Sequence, residues 1–235
     1  RFLCQVRQHF SHARCASDID GHFAVEQSAR NWNDLYMNFN GTAGIMSVKA
    51  IEEAGGWSDD TLTEDMDLSY RMQIAGWKTH YLLDLECPAE VPEDINAFKS
   101  QQFRWAKGSI QTAKKIIPKV LKDDVCLFKK LQAVLHMTNY SIHPLMLLLA
   151  VLAYPVAVLN DFQFGPLSIS WVYLAILFCS TAPTALYLVS KKSLGGNWMQ
   201  RFSVYPILMF VGSGMCISNT RAFLEAIFGK ISGFV

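Results

Sequence analysis

The chain has 235 residues and a net charge of +1, with 51% hydrophobic and 17% charged residues. A nearly neutral chain produces no strong positive field, so we exclude nucleic acid as a partner. Soluble domains carry roughly 25% charged residues. The charges present are concentrated in residues 1–130, which predicts a soluble N-terminal half joined to a membrane half.

The N-terminal half alternates helix and strand signals. Residues 1–38 have mixed polarity and are predicted as helix or loop, and residues 37–47 as a short apolar strand interrupted by asparagine and glycine. Residues 48–57 form a short helix that ends at a glycine pair, and residues 78–87 form a buried strand bounded by Pro88. This alternation predicts an α/β domain.

Three carboxylates, Glu64, Asp65 and Asp67, crowd the start of a helix that ends at Gly76. Carboxylates this close repel one another, so the crowding is unfavourable unless a helix terminus, a metal or a substrate compensates. A helix start is the simplest explanation. Thr61 and Glu64 have the spacing of a capping box, and acidic residues suit the first helical turn.

A long amphipathic helix is predicted over residues 94–117, ending before Pro118. Such a helix suits a membrane surface just ahead of a span. We place its apolar residues on one side and its lysines on the other: Phe98, Trp105 and Ile110 against Lys99, Lys107, Lys114 and Lys115.

Gln101, Arg104 and Trp105 share one face of this helix, because they stand at positions i, i+3 and i+4. An Arg fork holds phosphate oxygens, a Gln amide adds a hydrogen bond, and an indole stacks on the apolar face of a sugar. The alternative is an interfacial helix with an aromatic anchor and a snorkelling Arg.

Three stretches, 131–160, 162–190 and 202–220, contain no Asp, Glu, Lys or Arg. The first two are long enough to cross about 30 Å of hydrocarbon. We predict spans at about 131–159 and 163–190. The third stretch is barely long enough, so we expect the segment 202–229 to be interfacial or re-entrant.

Basic residues predict the topology of this membrane half. Lys129 and Lys130 precede the first span, and Lys191, Lys192 and Arg201 follow the second. The connecting sequence "DFQFGP" contains no basic residue. The positive-inside rule therefore places both ends of the hairpin, and the N-terminal domain, in the cytoplasm.

The T-E-D at 63–65, the Q-Q-F-R-W at 101–105 and the spans that follow resemble the processive family-2 glycosyltransferases, which include cellulose, hyaluronan, chitin and mannan synthases. The resemblance extends from about Asp20 to the C-terminus. "FNGTAG" and "EDMDLSYRMQIAGW" look most like the mannan and glucan synthase-like branch.

This resemblance implies three parts: the C-terminal part of a cytoplasmic GT-A type α/β domain (1–93), an interfacial helix and linker (94–130), and a transmembrane helical bundle (131–235). It also implies an inverting transfer of hexose from a nucleotide sugar to a growing β-linked polysaccharide. A non-processive transferase that makes a glycolipid and a catalytically dead scaffold or transporter are the alternatives. The donor, UDP-glucose or GDP-mannose, stays open.

The family's site residues carry over where the motifs match. The resemblance implies that Asp65 is the general base for the acceptor hydroxyl, supported by Thr63 and Glu64. Asp67 is then interpreted as a cap. The remaining roles are diphosphate binding for Gln101 and Arg104, and acceptor binding for Trp105, Asn40, Gly41 and Thr42.

A divalent cation, Mg²⁺ or Mn²⁺, is expected to neutralise the diphosphate. Its ligands are expected mostly outside this chain. Asp18 and Asp20 spell Asp-x-Asp, but we interpret them as surface or cap residues. We therefore expect these 235 residues alone to bind nucleotide sugar poorly and to transfer nothing.

Overall fold

The fold is that of a computed structural model, which describes residues 2–10, 21–89, 92, 94–158, 182–194 and 204–229. Two predictions fall wholly or largely elsewhere. Asp18 and Asp20 lie outside the described residues, and so does most of the second predicted span.

The described strands form one sheet of three, in the order β2-β1-β3. Strand β1 pairs antiparallel with β2 and parallel with β3. Their bounds are Phe2–Phe10 for β1, Gly44–Ile45 for β2 and Lys78–Ala89 for β3. The prediction of helix or loop was wrong for residues 2–10, which form strand β1. The strand forms by pairing with β3, more than 65 residues away, and no local pattern reports such a partner.

The predicted strand at 37–47 is mostly coil, because Gly41 and Ala43 adopt positive φ (+76° and +59°) that a ladder does not accommodate. The predicted strand at 78–87 exists and continues past the proline to Ala89. It is not buried throughout: Tyr81 is 6% exposed and Leu85 54%. Among the described strands β3 lies at the edge of the sheet, where a proline without an N–H is tolerated.

The helices of the N-terminal half follow the sequence signals. A π-helical turn, His22–Gln27, leads into α1 (Ser28–Trp32), and α2 (Val48–Glu53) ends at the predicted glycine pair. Helix α3 (Glu64–Ile74) ends before Gly76, whose φ is +88°. The capping box was wrong, because α3 begins at Glu64 with Thr63 at the N-cap and no side-chain cap bond.

Helix α4 (Ile95–Lys122) is longer than predicted and contains Pro118. A proline in a helix costs about 3 kcal/mol. Here the turns around it bury Ile116 and Val120 completely, which offsets the lost hydrogen bond. Lys107, one of the lysines placed on the basic side of the helix, is 0% exposed and pairs with Glu225 at 2.9 Å.

The core of the described residues lies between α3, α4 and α5 (Leu127–Met137). Smaller clusters lie between α2 and α3 and beneath β3. The coil before β2 contributes one side chain to each, namely Tyr36, Phe39 and Met37. This coil is therefore anchored along its length, although it makes almost no ladder bonds.

The C-terminal half contains α6, α7, α8 and α9, with bounds Ile142–Val158, Ala182–Ser193, Val204–Gly214 and Cys216–Ile227. No single helix among the described residues has the length and apolar composition of a membrane span. Helix α5 and the segment Asn139–Ala153 meet that test together, with a 57° bend between them. The transmembrane bundle stays a prediction.

Candidate active site

Asp65 lies in the first turn of α3, where the coil that precedes β2 passes against it. A methyl group placed at Gly41 would lie 3.1 Å from Asp65 Oδ2. The chain reaches this position because Gly41 has φ of +76°, which disfavours any residue with a Cβ. The structure therefore brings together two predicted site residues that are 24 positions apart in sequence.

The charge state of Asp65 is set by burial and by its neighbours. Burial raises the pKa of Asp65 from 3.8 to about 6, and the Glu64 carboxylate adds to the rise. The Met66 amide, which donates to Asp65 Oδ1 at 2.7 Å, and the charge of Arg104 oppose it. A carboxyl group with this pKa accepts a proton at neutral pH and releases it readily.

Arg104 reaches this site from α4 and acts on Asp65 through its charge. Gln101 is half-buried on the same face, one turn earlier, and Trp105 is 37% exposed. Arg104 is thus close enough to Asp65 for its charge to lower the pKa of that carboxyl. The Trp105 ring is accessible, as a stacking platform requires.

Thr63 contacts α4 directly, since its hydroxyl and that of Thr112 share a hydrogen bond at 3.1 Å. Thr63, predicted as a supporting residue, therefore has a hydrogen-bond partner, Thr112, that was not among the predicted site residues. Thr112 stands eight residues after Arg104, about two helical turns away. A search along α4 at spacings of one and two helical turns from Arg104 would have identified Thr112 as a candidate.

Asn40 is held by a chain of side-chain contacts. Asn38 Nδ2 donates to Asn40 Oδ1 at 2.6 Å, and His22 Nε2 lies 3.3 Å from the same oxygen. His22 Nδ1 contacts Glu26 Oε2 at 3.0 Å, one turn away in the π-helix. Thr42 is exposed two residues further along the loop. His22 was not among the predicted site residues.

Asp67 is not a cap. Its side chain is 0% exposed and pairs with Arg71 at 2.7 Å and with Lys115 at 3.1 Å. Lys115 also pairs with the exposed Asp60 at 2.8 Å. Asp67 thus ties α3 to α4 and is not available to a substrate, which separates it from the Asp65 carboxylate two residues earlier.

A divalent ion does not fit the residues that the structure describes. Among them, no group of three or more His, Cys, Asp or Glu side chains is placed to hold a metal. Glu64 and Asp65 are two carboxylates without a third such ligand. The described site therefore contains a candidate base, Asp65, and a cation, Arg104, that suits an anionic leaving group. The described residues do not form a set of metal ligands.

The chain is similar in sequence to several curated glucomannan mannosyltransferases. The chain is 34% identical over 219 residues to probable glucomannan 4-beta-mannosyltransferase 7 of Oryza sativa subsp. japonica, which covers 92% of this chain and 35% of that protein. It is 42% identical over 112 residues to glucomannan 4-beta-mannosyltransferase 2 of Arabidopsis thaliana (48% and 21%). Glucomannan 4-beta-mannosyltransferase 1 of Oryza sativa subsp. japonica is 39% identical over 117 residues (49% and 22%).

The chain thus spans about a third of the length of the first of these relatives, and less of the others. Residues 2–189 match the glycosyl transferase family group 2, and this region includes Asp65, Arg104 and the loop at Gly41. The chain belongs to this glycosyltransferase family.

Proposed function

We propose that this chain carries the general base and the leaving-group site of an inverting, membrane-bound glycosyltransferase that extends a β-linked polysaccharide. One observation supports this most directly. The Asp65 carboxyl, whose pKa is raised to about 6, lies against the Gly41 backbone, and the charge of Arg104 lowers its pKa. A base and a cation on either side of a reacting sugar are what such a transfer needs.

In the proposed reaction the acceptor hydroxyl oxygen bonds to C1 of the donor sugar, and its proton passes to a carboxylate oxygen of Asp65. The bond between C1 and the diphosphate oxygen breaks, and its electron pair stays on the leaving diphosphate. Arg104 and Gln101 stabilise that charge. Attack from the side opposite the leaving group inverts the configuration at C1.

We propose nucleotide-activated mannose as the donor, because the curated relatives are named as glucomannan 4-beta-mannosyltransferases. In this proposal Trp105 stacks under the acceptor sugar, and Asn40, Gly41 and Thr42 contact the sugars from the loop. A divalent cation accompanies the diphosphate, with ligands outside the described residues. No step above depends on that ion.

Membrane attachment is the third element of the proposal, with the N-terminal domain in the cytoplasm. Helices α5 and α6 expose large apolar side chains that water solvates poorly, which supports a lipid environment. These are Leu127, Phe128, Leu131 and Leu135 on α5, and Ile142, Leu145, Leu148, Leu149, Val151 and Leu152 on α6.

The test uses the whole product of the natural gene, expressed in membranes and incubated with a panel of labelled nucleotide sugars. We expect transfer from GDP-mannose in preference to UDP-glucose, and a polymeric product. Asp65→Asn should reduce the rate roughly 10²–10⁴-fold, because the base is lost. Asp59→Asn, at an exposed position six residues earlier, is the matched control.

Three results would contradict parts of the proposal. Parent-level transfer by Asp65→Asn would remove Asp65 as the base and favour another role for the domain. A single-sugar glycolipid product would replace polymer extension by glycolipid synthesis. Preference for UDP-glucose would overturn the donor assignment while leaving the base in place.

A further inference from the structure

We propose that Gly108, Gln111 and Thr112 of α4 are positioning residues that hold Leu62 and Thr63, and through them Asp65, at a set distance from Arg104. This inference rests on the proposed function, since it explains how two separate helices form one site. None of the three touches the reacting atoms. Their role is to fix the start of α3 on the helix that holds the leaving group.

The first contact is a close approach of backbone to backbone. A methyl group placed at Gly108 would lie 2.6 Å from Thr63 Cγ2 and 2.9 Å from both the Leu62 carbonyl carbon and the Thr63 nitrogen. Carbon atoms in van der Waals contact lie about 3.5–4.0 Å apart. Only glycine therefore allows α4 to pass this close to the segment before α3.

Two hydrogen bonds flank that approach. The Leu62 amide N–H donates to Gln111 Oε1 at 3.0 Å, and the Thr63 hydroxyl bonds the Thr112 hydroxyl at 3.1 Å. Thr112 is fully buried, so its hydroxyl would not easily find water as a replacement partner. Three contacts of different kinds thus meet at two consecutive residues.

Helix geometry places these contacts on the face of α4 that also carries the leaving-group residues. Gln101, Arg104, Gly108 and Gln111 are separated by three, four and three positions. Residues at such spacings form one stripe along a helix. Arg104 is one turn from Gly108, so the contact and the cation share a rigid element.

Asp65 is only two residues after Thr63 and lies in the first turn of α3. A displacement of Thr63 should therefore move the Asp65 carboxylate by nearly the same distance. A misplacement of about 1 Å costs up to roughly a hundredfold in rate. Moving α3 relative to α4 also changes two influences on the pKa of Asp65, namely its burial, which raises that pKa, and the charge of Arg104, which lowers it. The pKa of Asp65 should therefore shift, whereas destabilisation elsewhere in the fold would leave it unchanged.

The experiment compares four variants of the whole gene product. Thr112→Val removes the hydroxyl at nearly constant shape, and Thr112→Ser retains it. Gly108→Ala introduces the methyl group that the contact excludes. Lys119→Ala, at an exposed position on the same helix, is the control. For each variant we would measure thermal unfolding, kcat, KM for the donor, and the acidic limb of the pH–rate profile.

We expect Thr112→Val to lower kcat about tenfold or more and to shift the acidic limb of the pH–rate profile. Thr112→Ser should stay near the parent. Gly108→Ala should behave like Thr112→Val or more severely. If Thr112→Val folded with an unchanged acidic limb and unchanged kcat, the positioning role would be wrong, whatever happened to Gly108→Ala.

The Asp65→Asn variant separates this failure from failure of the proposed function. An inactive Asp65→Asn beside an unaffected Thr112→Val would leave the base in place and remove only the positioning role. An active Asp65→Asn would remove the base, and the positioning role with it.

Discussion

At the scale of single residues, Asp65 combines burial with charges of both signs. Burial and Glu64 raise its pKa, and Arg104 lowers it. The Asp65 carboxylate is therefore suited to accept a proton. Its charged form also destabilises the fold, because burial and Glu64 disfavour the charge. We propose that this cost is retained because a base with a pKa near neutrality is useful for transfer.

Asp65→Asn should stabilise the protein while it slows transfer. The folded-state pKa of Asp65 is raised from 3.8 to about 6. A raised pKa contributes stability below about pH 4, and this contribution is lost as the pH rises through about 6. At pH 7 the neutral amide avoids the buried charge, so its thermal midpoint should be higher by a few degrees. At pH 4 the difference should shrink, and a lower midpoint at both pH values would contradict the argument.

Arg104→Lys tests the fork separately from the charge. Lysine keeps a cation near Asp65 but cannot hold two phosphate oxygens in one plane. Product inhibition by the nucleoside diphosphate should weaken clearly, and the acidic limb should move little. Arg104→Gln should move that limb to higher pH as well. Lys99→Gln, exposed on the same helix, is the control. Unchanged inhibition by the diphosphate in Arg104→Lys would exclude this residue as its ligand.

At the scale of elements, α3 and α4 are joined by polar contacts as well as by the core. Asp67 is buried between Arg71 and Lys115, one turn from the hydrogen-bonded Thr63. The Tyr70 and Ile116 side chains pack in the adjacent cluster. An ion pair with a buried carboxylate makes this contact specific, because no apolar substitute satisfies both cations.

Asp67→Asn should destabilise the fold by about 3 kcal/mol, because it leaves two cations beside a neutral side chain. Removing the exposed pair of Lys49 and Glu53 by Lys49→Gln should cost well under 1 kcal/mol. Thermal unfolding of both variants measures the contrast. Equal midpoints for the two would mean that burial of the Asp67 pair contributes nothing.

At the scale of the whole molecule, α9 connects the C-terminal half to the helix of the candidate site. Lys107, two residues after Trp105, pairs with Glu225 of α9 at 2.9 Å. Lys114 donates to the Ala226 and Ile227 carbonyl oxygens at the C-terminal end of α9. A cation suits that end of a helix dipole.

Glu225→Gln should lower the thermal midpoint strongly, because Lys107 is fully buried and loses its carboxylate. The double variant Lys107→Met with Glu225→Leu should recover most of that loss, since apolar residues replace a buried ion pair well. Glu52→Gln, exposed on α2, is the control. A double variant no more stable than Glu225→Gln would show that the loss does not come from leaving Lys107 buried without its carboxylate.

Much of the N-terminal half was predictable because its signals are local. Gly55, Gly56 and Gly76 adopt the positive φ that ends α2 and α3, and the apolar spacing between them indicates helices. The two motifs at 63–65 and 101–105 pointed to the glycosyltransferase family. The N-cap of α3 was harder to predict, because Thr61 and Thr63 both suit that position and only the fold selects between them.

The rest depends on residues that are distant in sequence. Strand β1 forms because β3 pairs with it, Gly41 reaches Asp65 because the coil is anchored in three clusters, and Lys107 is buried because α9 covers it. Helix α4 likewise continues through its proline because the following turn packs in the core. Amino-acid identity alone determined the family, the helix ends and the candidate residues. Tertiary structure decided which of them meet, because burial and contact energies depend on partners that no local window contains.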